Sequence, residues 1–413
     1  VLAAQIVDPG QGCAGRVDHV FPMHIIKMSE FHTISSSFAK TGNALQPSER
    51  RKRLRTRCKK RENDYAALSI TDSTAKFKWF YEIYNAPGSV FKTFVASAAL
   101  EEHIVDLNTT YNCTGSIRVE DYTMKCHYHP GHGLQTLTQG LENSCNPFFI
   151  TIGQKLGVKN YVKYFDAFGF TKKTNIDYPG EVLSQYYKED QYGIVELSSA
   201  SFGQTNSLTP IQVCTGLCAI ANGGKLLQPY LVSSVVDANG KTVKKTQTKE
   251  IRQVISSETS KTVRQMMKSV VDNGTGKNGY VAGYSVGGKT GTSTKLGESK
   301  EGEADKYIVS FAAIAPTDDP EIAMLIIVDE PNQDLGGGAL CAPIAAQVTE
   351  EAMNVLGVEP KYDDDELKKL SKQTPNVVGK SLDEAQKTLK ENSLNYQVIG
   401  SGSTVTRKSG TST

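Results

Sequence analysis

Pro87-Gly88-Ser89-Val90-Phe91-Lys92 sets a hydroxyl and an amine three residues apart at the head of an apolar run. Residues at that spacing share one face of a helix, so Ser89 and Lys92 can meet. A lysine serves as a base only when burial and nearby positive charge pull its pKa several units below about 10.4. Phe91 and Phe94 offer the apolar surroundings this needs. A serine in a first helical turn also has its backbone N–H at the positive helix end, available to an oxyanion. The plainer reading is a helix cap, and the spacing is common. Ser37 to Lys40 and Ser73 to Lys76 repeat it upstream, so context must choose among the copies.

Two later stretches supply that context. Ser144-Cys145-Asn146-Pro147 lies between two helical patterns. A serine there can relay a proton, and an asparagine amide can donate to and accept from a peptide. Gly287-Gly288-Lys289-Thr290-Gly291-Thr292-Ser293 opens a strand pattern. Its glycines let an extended substrate lie against the strand, Lys289 brings positive charge, and the hydroxyls of Thr290 and Thr292 can hold a carboxylate. Each motif has a decoy, Ser393-Leu394-Asn395 and Lys40-Thr41-Gly42. Only Ser89 to Lys92, Ser144 to Asn146 and Lys289 to Thr292 stand in order, each in the local setting its chemistry requires.

The 413 residues can bury at least one large core, and 38% hydrophobic with 22% charged residues is a globular composition. No apolar run reaches the roughly 20 residues that span a bilayer, and none reads as a signal peptide. The chain opens at Val1 and ends in a Ser/Thr/Gly-rich tail, which gives the expectation of a fragment lacking its anchor. The net charge of +2 conceals nine basic residues and no acid between Arg50 and Arg61. Without interleaved aromatics or a binding module, that run reads as a solvated or disordered loop, and no nucleic-acid partner is expected.

Eight cysteines are scattered without a paired Cys-Xaa-Xaa-Cys framework, so structural disulfides are not expected. Cys214 and Cys218 share a face of an apolar helix and read as packing. Cys126-His127-Tyr128-His129-Pro130-Gly131-His132 is the densest ligand-type cluster, with only Cys113 as a nearby fourth candidate. A polar loop beside a cleft is the favoured reading over a metal site, and no cofactor is expected.

Helices are expected from Ser89, over Leu134 to Asn143, over Pro147 to Leu156, over Leu208 to Ala221 and over Ala342 to Leu356. Tyr284 to Thr294, Lys306 to Ala315 and Glu321 to Asp329 read as neighbouring antiparallel strands. This order gives an α+β fold, an antiparallel sheet flanked by helices. The expected layout is a poorly patterned segment over 1–84, a main domain over 85–360, a linker over 361–373 and a small unit over 374–413. Ser381-Leu382-Asp383-Glu384 caps a helix in that last unit, and Asn395 to Ile399 alternates like a strand.

With these motifs the sequence resembles the class B penicillin-binding protein transpeptidases over about Asn85 to Pro360. The likeness extends to Gly131-His132-Gly133, Pro179-Gly180-Glu181, Ser201-Phe202-Gly203-Gln204, Thr209-Pro210-Ile211-Gln212 and Ala221-Asn222-Gly223-Gly224-Lys225. Thr374-Pro375-Asn376-Val377-Val378-Gly379 looks like the start of a partial PASTA domain, and the pair is most similar to the stage V sporulation protein D group, which builds spore cortex. The resemblance implies a penicillin-binding, β-lactamase-like fold and a peptidoglycan DD-transpeptidase on the extracytoplasmic face of the cell membrane. Ser89 would attack the D-Ala-D-Ala carbonyl of a stem peptide with Lys92 as base, and an amine of a second stem peptide would resolve the acyl-enzyme. Ser144 and Lys289 would pass the proton, Asn146 would hold the peptide, and Thr290, Gly291 and Thr292 would bind the donor's end. β-Lactams and a SEDS-family glycan polymerase are the further partners it implies. Departures are Ala86, where relatives carry an acid, and the stretch 4–84, which reads as divergent or frameshifted. The competing readings are a serine β-lactamase and a β-lactam sensor or wall-binding scaffold without turnover.

Overall fold

The computed structural model describes residues 86–178, 180–237, 239, 241–295, 306–329, 331, 336–370, 375–391, 398 and 402–405. The segment 1–84 with its basic run lies outside them, as does nearly all of the strand expected over Asn395 to Ile399.

Gly88–Phe91 forms a single 3-10 turn that feeds directly into helix α1, Lys92–Glu101. Ser89 therefore precedes the α-helix proper by one tighter turn. Gly88 has φ 58°, and a Cβ there would sit 2.7 Å from the Thr292 carbonyl oxygen. Both the sign of φ and the close approach of a strand require glycine. Every residue from Lys92 to Ala99 is buried, the pattern of a helix surrounded on all sides. Beneath it Phe91 and Phe94 pack with Phe168 and Phe170 at ring-centroid distances of 5.0 to 5.7 Å.

Four short strands follow: β1 (Thr110–Cys113), β2 (Ser116–Val119), β3 (Tyr122–Lys125) and β4 (Gly133–Thr136). β1 pairs with β4 and β2 with β3, both antiparallel. The helix expected over Leu134 to Asn143 is thus shorter than its pattern implies, and α2 spans only Leu137–Glu142. Thr136 and Gln139 set the start by capping each other's backbone N–H, which leaves the residues before them extended. Helix α3 (Asn146–Ala167) is two helical segments joined at Gly157, whose φ of 75° and ψ of 161° break the helix just after the expected end at Leu156.

Helices α4 (Ile194–Ala200) and α5 (Pro210–Ala221) come next. Thr209 and Gln212 cap the start of α5, and Gly223 and Gly224, both at positive φ, end it as the sequence implies. Two ribbons pair β5 (Lys225–Leu227) with β8 (Glu250–Gln253) and β6 (Ser234–Val236) with β7 (Thr242–Lys245). Helix α6 (Ser257–Asp272) then leads to the main sheet.

That sheet holds β9 (Gly287–Thr294), β10 (Tyr307–Ala315) and β11 (Ile322–Asp329) in the order β11-β10-β9, all antiparallel as expected. Successive strand residues face opposite sides, and here both sides are covered. Ile308, Ala312, Leu325 and Ile327 join one core with α1, α3, α5 and α6. Val309, Phe311, Met324 and Ile326 join a second core with α7 (Gly337–Leu356), which begins at Gly337 rather than at Ala342. Hence β10 and β11 are apolar at nearly every position instead of alternating. Helix α8 (Asp364–Leu370) occupies the expected linker, and Glu366 accepts from the Gly283 N–H at 3.1 Å and from the Tyr280 hydroxyl. Helix α9 (Leu382–Glu391) starts at the expected cap, where Ser381 and Glu384 bond to each other.

Candidate active site

The turn before α1, the loop between α2 and α3, and strand β9 bring their polar atoms to one place. Lys92 is fully buried, yet its Nζ donates to Ser89 Oγ at 2.9 Å, to the Ser144 carbonyl at 2.7 Å, to Ser144 Oγ at 3.2 Å and to Asn146 Oδ1 at 2.6 Å. A neutral amine keeps two protons, enough for the Ser144 carbonyl and Asn146, and can turn its lone pair toward Ser89. Burial lowers the Lys92 pKa from 10.5 to about 7, against an opposing pull from the Cys145 and Cys126 thiols. Ser89 itself is half-buried, as an attacking hydroxyl that must reach a ligand should be.

Ser144 has φ 51°, the left-handed region that non-glycine residues rarely occupy. This turn buries its side chain between two lysines. Lys289 Nζ, fully buried on β9, donates to Ser144 Oγ at 2.9 Å and to the Thr290 carbonyl at 3.0 Å. Burial, and then the charge of Lys92, holds Lys289 well below the ordinary lysine range. Asn146 is the first residue of α3, and its Nδ2 donates to the Lys125 carbonyl at 3.1 Å. The amide is thereby fixed with its oxygen toward Lys92.

On β9, Thr290 stands opposite Phe311, Gly291 opposite Ser310 and Thr292 opposite Val309. Thr290 and Thr292 therefore share one face of the strand, Thr290 buried and Thr292 exposed. The predicted residues Ser89, Lys92, Ser144, Asn146 and Lys289 form one hydrogen-bonded chain, and Thr290 joins it through its carbonyl and its Oγ1, 3.3 Å from Lys289 Nζ. Gly291 and Thr292 lie along the same strand without a direct bond to that chain.

Sequence reading missed three contributors. Thr275 Oγ1 lies 3.1 Å from Thr290 Oγ1, and the Asn273-Gly274-Thr275-Gly276 turn after α6 was the signal that could have found it. Ser293 Oγ donates to the Ala86 carbonyl at 2.6 Å and ties the Ser89 turn to β9. The third is Cys145: the Sγ atoms of Cys113, Cys126 and Cys145 and a ring nitrogen of His132 all lie within 4.8 Å of one another. Those four residues could hold a metal ion.

The site offers a hydroxyl beside an amine that burial keeps close to neutral, with a second hydroxyl and a second amine leading away from it. That is equipment for nucleophilic attack with proton relay. The penicillin-binding protein transpeptidase domain matches residues 39–350, starting well before Asn85, and the PASTA domain matches residues 372–411. Stage V sporulation protein D of Bacillus subtilis is 40% identical over 331 residues, 78% of this chain and 51% of that protein. Penicillin-binding protein PbpB of Mycolicibacterium smegmatis is 30% identical over 63% of this chain and 42% of its own length. The chain spans about half the length of the curated relatives it matches. Among solved structures, the D,D-transpeptidase domain of a peptidoglycan glycosyltransferase from Eggerthella lenta superposes with a TM-score of 0.62 at 28% identity, covering 72% of this chain and 73% of that one. Penicillin-binding protein 3 of Mycobacterium tuberculosis, complexed with aztreonam, gives 0.61 at 28% identity over 67% of this chain and 64% of its own. By its motifs, its fold and the three quarters of its length that one domain description spans, the chain belongs to the penicillin-binding protein transpeptidase family.

Proposed function

We propose that this chain is a serine-type peptidoglycan DD-transpeptidase, with its transpeptidase domain over 85–360 and a partial PASTA domain over 374–413. The observation that carries the reading is the fully buried Lys92 amine bonded at once to Ser89, Ser144 and Asn146. Ser89 Oγ attacks the penultimate D-Ala carbonyl of a donor stem peptide while Lys92 takes its proton. The tetrahedral intermediate collapses to an ester, and its proton passes through Ser144 and Lys289 to the departing D-Ala amine. Asn146 holds the donor's peptide amide, and Thr290, Gly291 and Thr292 receive its terminal carboxylate. The backbone N–H groups of Ser89 and Thr292 hold the oxyanion, where one such donor contributes about 3 kcal/mol. An amine of a second stem peptide then breaks the ester and leaves a cross-link. A β-lactam enters as a donor mimic and stays on Ser89 because no acceptor clears it.

The protein acts at the extracytoplasmic face of the cell membrane in wall or spore-cortex synthesis, beside a SEDS-family glycan polymerase. No helix among the described residues is long and apolar enough to cross a membrane. Fluorescent penicillin followed by peptide mapping tests the reading. The expected result is a long-lived adduct on the peptide carrying Ser89, with cross-linked product when glycan strands bearing stem peptides are supplied. An adduct on another residue would refute Ser89. An adduct at Ser89 with no cross-linking would make the chain a sensor, and rapid nitrocefin turnover would make it a β-lactamase.

Thr275 enters this reading as the partner of Thr290. Thr275→Val keeps the shape and removes the hydroxyl, at a cost of about 1 kcal/mol in fixing Thr290. Acylation by penicillin is expected to slow about fivefold, the rate equivalent of that energy, with Tm unchanged within a few degrees. An unaltered rate constant would exclude the Thr275–Thr290 contact from substrate binding.

A further inference from the structure

We propose that Glu142 is a positioning residue that holds the proton relay at Ser144 in register with the grip on the donor carboxylate at Thr290. This role rests on the transpeptidase reading, and the reaction sets the requirement. The D-Ala that departs carries the amine to be protonated and the carboxylate to be held on one carbon, so relay and grip must keep a fixed separation. A misplacement of about 1 Å is enough to cost about 10²-fold in rate. Ser144 stands between α2 and α3, whereas Thr290 lies on β9 and meets Thr275 of the turn after α6.

Glu142 joins these elements with both its backbone and its side chain. Its carbonyl accepts from the Thr275 N–H at 3.0 Å, and a Cβ on Gly274 would sit 2.6 Å from the same oxygen. The neighbouring Asn273, Gly274 and Gly276 amides bond back to the Ser269 and Val270 carbonyls of α6, whereas the Thr275 amide crosses to α2. The Glu142 carboxylate accepts from Ser269 Oγ, which in turn accepts from Asn273 Nδ2 at 3.2 Å. The last turn of α6 and the turn that follows it are thus fastened to the end of α2.

Because Ser144 follows Glu142 by two residues, these contacts close into a circuit. Ser144 Oγ accepts from Lys289 Nζ at 2.9 Å, Lys289 Nζ lies 3.3 Å from Thr290 Oγ1, Thr290 Oγ1 lies 3.1 Å from Thr275 Oγ1, and the Thr275 amide returns to Glu142. Linked hydrogen bonds align and polarise one another, so loosening one member is felt by the rest. Lys289 joins relay to grip along β9, and Glu142 joins them from α2. Without the Glu142 carboxylate, Ser269 loses its acceptor and the end of α6 that carries Thr275 is freed. Thr290 keeps its place in the sheet while its partner hydroxyl drifts away from it.

The test measures second-order acylation of Ser89 in the whole chain by benzylpenicillin and by its methyl ester, read through competition with fluorescent penicillin. Both carry the reactive ring, but only the acid has a carboxylate to hold, and wild type should favour it. Glu142→Ala should slow the acid about fivefold, the rate equivalent of one lost hydrogen bond, and the ester by less than about twofold. Glu142→Gln keeps an acceptor for Ser269 and should stay within about twofold of wild type for both. Adding Thr275→Val to Glu142→Ala should cost no more than either change alone, because both act through one contact. Ser269→Ala severs the same link from α6 and should reproduce the selective loss, which decides the matter even where Glu142→Ala fails to fold. An unchanged rate, equal slowing of acid and ester, or effects of Glu142→Ala and Thr275→Val that multiply would overturn the coupling and leave the Ser89 adduct standing. A wild type that takes acid and ester alike has no grip to align, which refutes the coupling too. A wild type with no adduct at Ser89 refutes the transpeptidase reading, and the coupling with it.

Discussion

Lys92→Met is expected to slow acylation of Ser89 by β-lactams about 10²–10⁴-fold, the range that a positioned general base supplies. Methionine fills the buried stem but cannot take a proton. The folded state should change far less, because two effects oppose. Removing the amine relieves the cost of burying a cation, while the Ser144 carbonyl and Asn146 Oδ1 each lose a donor at about 1–3 kcal/mol. Ser89→Ala, by contrast, removes the attacking atom and should abolish the adduct altogether. The pH profile separates a base from a structural lysine. With Lys92 lowered to about 7, the amine is protonated and idle below that pH and free above it. Wild-type acylation should therefore rise about tenfold per pH unit up to about pH 7 and then level off. Lys289 on β9, Cys145 at the head of α3, and Cys126 and His132 on the loop before β4 are the ionisable groups acting on this amine or shifted by it. The measurement is the second-order rate constant with fluorescent penicillin across that range. A Lys92→Met rate within a few fold of wild type would sink the assignment.

Phe94→Ala is expected to destabilise the protein by about 3–5 kcal/mol. Phe94 is 2% exposed and makes edge-to-face contacts with Phe168 and Phe170 at 5.1 and 5.0 Å, so truncation opens a cavity among rings that α1 and α3 hold rigidly. Against the 5–15 kcal/mol that is typical of folded domains, about 4 kcal/mol is a large share, and the denaturation midpoint should drop accordingly. A loss below about 1 kcal/mol would mean that neighbouring rings collapse into the space. The ring cluster lies beneath the Ser89 turn, so the same variant also tests whether the helix can be loosened without displacing the nucleophile.

The sheet and the buried helix were legible because burial writes itself into residue type. β10 and β11 are apolar on both faces, and α1 is mostly alanine and larger apolar residues, with Lys92, Thr93 and Ser97 its buried polar positions. Boundaries were less legible where a local hydrogen bond overrules the pattern. The run from Leu134 looks helical, but Thr136 and Gln139 move the helix start to Leu137. At Gly157 the helix is broken as the pattern implied, and what was not legible is that a second helical segment follows at once to Ala167. The five residues of the hydrogen-bonded chain could be singled out because their three motifs stand in order, each in the local setting its chemistry requires. Thr275 and Ser293 act only through a neighbour that folding supplies. Cys145 was read as the spacer of a serine–asparagine motif, and nothing in its spacing places it beside Cys113 and Cys126.

Coverage of both sheet faces has a consequence in time as well as in energy. β10 is bonded on one side to β9 and on the other to β11, and buried residues pack above and below it. Its amides have no local route to solvent, so their hydrogen exchange should wait for global unfolding and be among the slowest in the molecule. β9 shares that slow partner along one edge. Lys289 lies on β9 opposite Ala312 of that slow strand, so its place beside Ser144 should outlast openings in the exposed ribbons.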